Sequence, residues 1–565
     1  MTSFQLPITY NRECKKLEQH VREDMELVSD DALYSAIMPD STPLGKRTLP
    51  LWGIDYTTDR KYLKDTQKIL SSEIKPYAKD STEAVKVMEK INADDDPHED
   101  DGGFHAKYQY IEWSWLQRFN ENSTVLQWLS IYNMASPVLS LCLPIFFLIL
   151  PFFIIKFSGH SITISKYIEV LKMVFQKHQI GQLFTVSAAT WDKRMYILIS
   201  TVFYVLQIYS NIRSCINFCT NMKVIHEELF SMRDHIGETI SCMDAFENTC
   251  SKRKSYQPFI DNMKIHRAAL KRFHSDLQQV SPNVVSLKKF KEVGHVMKCF
   301  YQLYHREEYE NALNYSFDFC GFIDNMYRLR AGVKDGRLNK CKFSKTKTKF
   351  TEAFFPITEN EPVRNTYDLD KHILITGPNA AGKTTLLKTT LLNVILSQQV
   401  GYGCYKKALL SIFDHIHCYI NIPDTSGRDS LFQAEARRCK EIIDSVETHG
   451  DKARHFCVFD ELYSGTNPYE AIGSAASFLR YLNKHPHVSF IITTHFLDLC
   501  RRLDTDNKMS NRHMAIDAEG EGFKYTYKLS SGMSNVRGGV KVLNDLEYPD
   551  EIISGTREII DDLNI

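Results

Sequence analysis

The sequence predicts an α/β domain of the P-loop type at the C-terminus, preceded by a mostly α-helical region that contains a hydrophobic helical hairpin. Three observations predict it. Short apolar runs at 372–376, 455–459 and 489–493 do not alternate and end in polar or acidic residues, as strands buried in a parallel sheet do. The first of them feeds a glycine loop, Gly377-x4-Gly382-Lys383-Thr384, and then a helix-forming segment from Leu386 to Gln399. Upstream, Thr220 to Val280 is charged and largely free of glycine and proline, and the twenty residues Ser136 to Ile155 carry no charge at all.

The order strand, glycine loop, helix turns backbone N–H groups and a helix N-terminus toward phosphates. Gly377 and Gly382 give φ freedom and close approach, Lys383 can reach β- and γ-phosphates, and Thr384 can hold Mg²⁺. The candidate nucleotide-binding set is Gly377, Pro378, Asn379, Ala380, Ala381, Gly382, Lys383, Thr384 and Thr385, with ATP and Mg²⁺ as the expected ligands. The second strand ends in Asp460-Glu461: the first carboxylate can hold Mg²⁺ and the second can activate an attacking water. Acids at strand ends also serve as helix N-caps, but their order after the glycine loop favours catalysis. The third strand ends at His495, where an imidazole can sense or orient a γ-phosphate. Three strands ending at one edge fit the rule that ligands sit beyond the carboxyl ends of a parallel sheet.

The run Ser426-Gly-Arg-Asp-Ser430-Leu-Phe432-Gln-Ala-Glu435 resembles the Ser-x-Phe-x-x-Glu signature of the MutS mismatch-repair ATPases. So do Ile375-Thr-Gly-Pro-Asn379, Ser464-Gly465-Thr466-Asn467 after the acidic pair, Thr494-His495-Phe496, and the tail from Tyr527 through Gly539-Val540 to Pro549-Asp-Glu-Ile-Ile553. No Leu-Ser-Gly-Gly signature of an ABC transporter subunit is present. The resemblance implies that Lys383 and Thr384 bind phosphate and Mg²⁺, Asp460 is the metal acid, Glu461 the base and His495 the γ-phosphate sensor. It also implies that Ser430 is presented across a homodimer interface to the partner's nucleotide. Phe354-Phe355-Pro356 resembles the family's adenine shelf, with core packing as the alternative for Phe355, and Asn365 is a candidate nucleotide contact. The chain departs from the pattern at Ala380-Ala381, where the family has Met-Gly, and at Tyr463 and Ser464, where it has Gly and Arg.

Thr42-Pro-Leu-Gly-Lys-Arg-Thr-Leu-Pro-Leu-Trp52, then Tyr56-Thr-Thr-Asp-Arg60 and a helical pattern to Leu70, resembles the start of the MutS helical core and levers. Only some 40 residues precede it, with no Phe-x-Glu wedge, so a mismatch-reading domain is not expected there. The expected division is an N-terminal tail 1–30, first core and lever half 31–130, hydrophobic hairpin 131–215, second half 216–335, and ATPase domain 336–565. In the family the levers end in a DNA clamp. Here Ser136–Ile155 occupies that place, long enough as a helix to match a bilayer core of about 30 Å. Pro144 and Pro151 are tolerated in such spans. A second apolar run covers Met195 to Ile212. A membrane hairpin, a buried hairpin and a dimerisation surface all remain open at this stage. Lysines in the connecting loop would place it in the cytosol, which conflicts with a cytosolic ATPase; shallow insertion of Ile164 to Ile180 resolves the conflict.

The 565 residues leave room for three or four domains, and a net charge of zero gives no bulk attraction to nucleic acid. Fourteen cysteines without a C-x-x-C pair, and no histidine cluster at metal-ligand spacing, suggest reduced structural thiols; Cys215-x3-Cys219 resembles a metal half-site, but facing positions on a helix explain it better. The polar N-terminus does not read as a signal peptide, and an intracellular, membrane-associated protein with its ATPase domain in the cytosol is expected. The acidic stretch Asp94–Asp101 reads as a solvated connection. Lys252-Arg-Lys254, His266-Arg267, Lys271-Arg272 and Lys288-Lys289, with seven cations from Lys334 to Lys349, are candidate phosphate contacts for DNA. A solvated lever face, and for 334–349 a sheet edge blunted by lysines, are the alternatives.

Overall fold

The computed structural model describes residues 4–27, 33–93, 111, 113–157, 163–177, 190–282, 287–357, 361–420, 430–504, 506–519, 522–534 and 538–562. The acidic stretch 94–101, the residues 421–429 leading into Ser430, and part of the segment from Ile164 to Ile180 therefore lie outside the described residues. Two compact units are present. One comprises 78–240 and 266–314; the other comprises 2–77, 241–265 and 315–565.

The first unit is helical. It holds Thr82–Ala93, Ser123–Phe157, Ile164–Lys177, Leu287–His305 and large parts of Trp191–Cys250 and Gln257–Gln278. The helix Ser123–Phe157 runs unbroken past Pro137, Pro144 and Pro151. The apolar run from Met195 and the charged lever segment after it form one continuous helix, Trp191–Cys250, of 60 residues. At 1.5 Å per residue that is a rod of about 90 Å. Helices Leu287–His305 and Ser123–Phe157 approach closely at Gly294, where a Cβ would lie 2.1 Å from the Ser123 carbonyl oxygen. The apolar run from Met195 to Ile212 is not a buried hairpin within this unit: Phe203 is 68% exposed and Tyr209 60%.

In the second unit a six-stranded sheet runs, edge to edge, Gly522–Ser531, Met509–Glu519, His372–Thr376, Val488–Thr493, His455–Asp460, His415–Tyr419. All neighbours are parallel except the first pair. The inner strands are buried along nearly their whole length, which is why they read as continuous apolar runs. A five-stranded sheet has the order Asn365–Asp368, Lys349–Ala353, Lys407–Ser411, Asn339–Ser344, Tyr402–Gly403. Asn339–Ser344 is therefore flanked on both sides, at Asn339 and Lys340 by the short strand Tyr402–Gly403, and is not the plain lysine-blunted edge expected.

Between these elements lies the helix Lys383–Gln399, almost entirely buried. Its polar residues bond back into the preceding turn, Thr390 Oγ1 to Leu386 O at 2.8 Å and Asn393 Nδ2 to Thr389 O at 3.0 Å. Its last turn reaches the N-terminal segment: Gln399 Nε2 donates to Trp52 O at 2.6 Å and Asp55 O at 2.9 Å, and accepts from Tyr34 at 2.6 Å. Of the segment 1–30 expected as a tail, the described residues 4–27 carry packed structure. Phe4, Leu6 and Ile8 are buried, and the Phe4 ring packs 5.2 Å from Tyr315 and 6.1 Å from Phe259 and Phe322.

The Thr42-Pro-Leu-Gly motif has a local explanation. Thr42 caps the helix Pro43–Trp52 by accepting from Gly45 N at 3.1 Å, and Pro43 sits in its first turn. Gly45 and Gly321 then let this helix meet Glu307–Lys334, with Asn325 Nδ2 donating to Gly45 O at 3.1 Å. A Cβ on Gly321 would lie 2.2 Å from Leu44 O. Gly321→Ala should cost about 1–3 kcal/mol in urea unfolding because the helices must part. Gly473→Ala, at an exposed helical site with nothing within 4 Å of the new Cβ, should instead be neutral or stabilise by up to ~1 kcal/mol.

Candidate functional site

The carboxyl ends of three adjacent strands, Thr376, Thr493 and Asp460, meet at one edge of the six-stranded sheet. The glycine loop leaves the first of these strands through left-handed backbone at Gly377 (φ 153°), Ala380 (φ 61°) and Gly382 (φ 88°). Gly382 is the N-cap of the helix Lys383–Gln399 and supplies no side-chain cap, so the first N–H groups of a 17-residue helix face the loop with its dipole. A Cβ on Gly382 would meet the Tyr527 ring at 3.0 Å, and one on Gly538 would meet Pro378 at 2.4 Å. Both the edge strand and the segment after it therefore press on the loop.

Lys383 is 5% exposed. Its ammonium donates to Gly377 O at 3.1 Å and Pro378 O at 3.2 Å and lies 3.8 Å from Glu461 Oε1. Burial pulls its pKa down, opposed by the charges of Glu461 and Asp460. Thr384 Oγ1 donates to Asp460 Oδ2 at 2.7 Å, and the other Asp460 oxygen accepts from the Thr493 hydroxyl. Glu461 turns back through φ 49° while its N–H bonds to Thr493 at 3.2 Å. Its Oε1 lies 2.6 Å from His495 Nε2. That short contact assigns the proton to Nε2, so Lys383 Nζ at 3.4 Å from the same nitrogen is a neighbour and not its donor. The His495 hydrogen bond, followed by the charges of His495 and Lys383, holds the Glu461 carboxyl below the usual range. The structure thus brings Lys383, Thr384, Asp460, Glu461 and His495 together around the loop.

Beside the loop a cavity of about 410 Å³ is lined by Phe355, Asn365, Gly382, Thr385, Met514 and Tyr527, among others. Phe355 and Asn365 thus come next to the helix N-terminus. The Asn365 amide is engaged with the edge strand, donating to Tyr527 O at 3.0 Å and accepting from Leu529 N at 2.8 Å. It shapes the cavity wall. Met514 carries no chemical signal in the sequence, and Tyr527 stands out there only as the start of the tail motif.

Ser430 is the N-cap of the helix Leu431–His449, in a capping box with Gln433, and it is exposed. Five residues on, Glu435 is 2% exposed and accepts from Ser464 N at 3.0 Å and Gly465 N at 3.3 Å. Tyr419 joins it: burial, then the Glu435 hydrogen bond, pushes the phenol pKa far up and keeps it a donor. Glu435 therefore ties the helix capped by Ser430 to the turn after Asp460-Glu461, a job the sequence did not reveal.

Residues 373–564 match the family described as MutS domain V. The chain is 29% identical over 208 residues to a DNA mismatch repair protein MutS of Leuconostoc mesenteroides, covering 36% of this chain and 24% of that one. It is 25% identical over 297 residues to a Bacillus licheniformis protein of the same description, covering 51% and 30%, respectively. Against an Endonuclease MutS2 of Thermus thermophilus it is 26% identical over 278 residues, covering 48% and 36%. Residues 373–564 are thus similar to a MutS domain V. It spans between about a quarter and a third of the length of these relatives.

Within this MutS domain, Glu435→Ala would strand two backbone N–H groups and a phenol. It should lower stability by at least ~2 kcal/mol, read by chemical denaturation, with Glu435→Gln losing less.

Proposed function

We propose that the MutS domain binds ATP with Mg²⁺ and hydrolyses it, and that the chain acts as a homodimer whose nucleotide sites switch its conformation. The convergence of Lys383, Thr384, Asp460, Glu461 and His495 at one sheet edge carries this reading. The loop's left-handed turns and uncapped helix N-terminus suit polyphosphate. Thr384 and Asp460 offer hard oxygen donors suited to Mg²⁺, which would neutralise phosphate charge there. A phosphate entering the loop would compete with the Gly377 and Pro378 carbonyls for the Lys383 ammonium. Glu461 is the group to accept a proton from water, with His495 orienting its carboxylate. Phe355 and Tyr527 would flank adenine, and Ser430 would reach the partner's nucleotide from its exposed helix start.

DNA is the proposed target, mismatched or branched, in keeping with the printed roles of the relatives. A specific observation favours a second reading, a membrane-anchored switch without DNA. Among the described residues, Trp191–Cys250 is long and apolar enough to cross a membrane, and its apolar stretch is exposed. Basic residues proposed as phosphate contacts also have acidic partners: Arg272 pairs with Glu308. On either reading we place the protein inside the cell, with the MutS domain in the cytosol.

Lys383→Ala should abolish fluorescent-nucleotide binding. Glu461→Gln should bind ATP with turnover down by about 100-fold or more. Ser430→Ala should slow turnover with affinity intact, and an unchanged rate would contradict a shared site. Turnover by the full chain in detergent, with no DNA, homoduplex, mismatched duplex, a four-way junction or lipid vesicles, separates the two readings. A salt-sensitive response to one DNA form supports the first. Indifference to every DNA with a response to lipid supports the second.

A further inference from the structure

At the opposite ends of the same strands lies a group the nucleotide reading does not use. His415 and His455 begin adjacent parallel strands and are register partners, and His449 is the last residue of the helix Leu431–His449. One nitrogen from each of the three lies within 4.8 Å of the others. The His415 ring is 4.0 Å from that of His449 and 4.8 Å from that of His455. The expectation that no histidines cluster is thus corrected: residues 34 and 40 positions from His415 meet only through strand register and a helix return.

The hydrogen bonds around the group fix which nitrogens face it. His449 Nδ1 donates to Ser445 O at 2.8 Å, which leaves Nε2 with its lone pair. His455 Nδ1 pairs with His417 Nε2 at 3.1 Å, and His417 Nδ1 lies 3.8 Å from Glu18 Oε1. The Glu18 carboxylate at that distance favours the His417 proton on Nδ1, in which tautomer His417 Nε2 accepts from His455 Nδ1–H and His455 Nε2 carries its lone pair. That atom is buried without a hydrogen-bond partner, on a side chain 1% exposed. A carbonyl behind His449, and behind His455 an imidazole that itself faces Glu18, are the kind of support that ligating histidines have.

We propose that His415, His449 and His455 form a site for a borderline divalent transition ion, Zn²⁺ foremost, with the fourth position open to water. Three imidazoles without carboxylate ligands select such ions over Mg²⁺ or Ca²⁺. Tetrahedral Zn–N bonds of about 2.1 Å require nitrogens about 3.4 Å apart, and the exposed His449 can swing to close the gap. The ion would sit about 16 Å along the strand from Asp460. It would pin the far end of the helix whose start is Ser430, and so act as a structural clip distinct from the Mg²⁺ ligands.

The test uses the full chain in detergent, stripped with chelator and titrated with Zn²⁺ against a chromophoric competitor, with Co²⁺ absorption as a second readout. One tight equivalent per chain and a tetrahedral Co²⁺ spectrum are expected, together with a Zn²⁺-dependent rise in melting temperature. His449→Ala, at an exposed position, should keep the fold by circular dichroism yet lose at least tenfold in affinity and the melting shift. His513→Ala should change neither. Equal zinc binding by wild type and His449→Ala, or no binding by wild type at micromolar metal, would overturn the proposal.

Discussion

The desolvated ammonium of Lys383 is the constraint on which the site depends. A lysine 5% exposed needs partners on every side, and the loop supplies them by turning two of its own carbonyls inward. Those turns require positive φ at Gly377, Ala380 and Gly382. They in turn leave the first N–H groups of the following helix directed at the same space. Glu461, drawn toward the ammonium and clamped by His495, completes the ring of charge. Each of these groups is thus held by another at the same strand ends.

The helix behind that lysine carries the constraint into the rest of its unit. Asn393, Gln398 and Gln399 are buried amides whose bonds end on backbone far away in sequence, at Cys404, Phe413, Trp52 and Asp55. An unsatisfied buried amide is costly, so these bonds specify one docking of the N-terminal segment against the nucleotide-type domain. Glu435 does the same on the other flank, joining the helix of Ser430 to the turn that follows the acidic pair. The turn after the acidic pair and the helix that begins at Ser430 are thus joined through one buried carboxylate.

What was legible in the sequence was local. Strand, glycine loop and helix are contiguous, and the acids and His495 end apolar runs, so their placement follows from pattern alone. Phe355 and Asn365 line the cavity beside Gly382, and Asn365 spends its amide on the edge strand. What escaped depends on register and long-range packing. Residues 4–8 are too few to show a period, yet they fill an aromatic core. The three histidines meet only because two parallel strands align His415 with His455. Met514 lies on a strand whose contribution to the cavity depends on its pairing with His372–Thr376.

The apolar stretch within Trp191–Cys250 is exposed on a helix that continues as the charged lever segment, so whatever covers that stretch is joined by unbroken backbone hydrogen bonds to the lever. The central claim is that nucleotide acts by taking over the partners of Lys383 and Thr384. A structure of the chain with Mg²⁺ and a non-hydrolysable ATP analogue tests this most directly. The account predicts that Lys383 Nζ leaves the Gly377 and Pro378 carbonyls for phosphate oxygens, with the metal between Thr384 and Asp460. Nucleotide bound elsewhere, or bound in the loop with Lys383 still on both carbonyls, would contradict it.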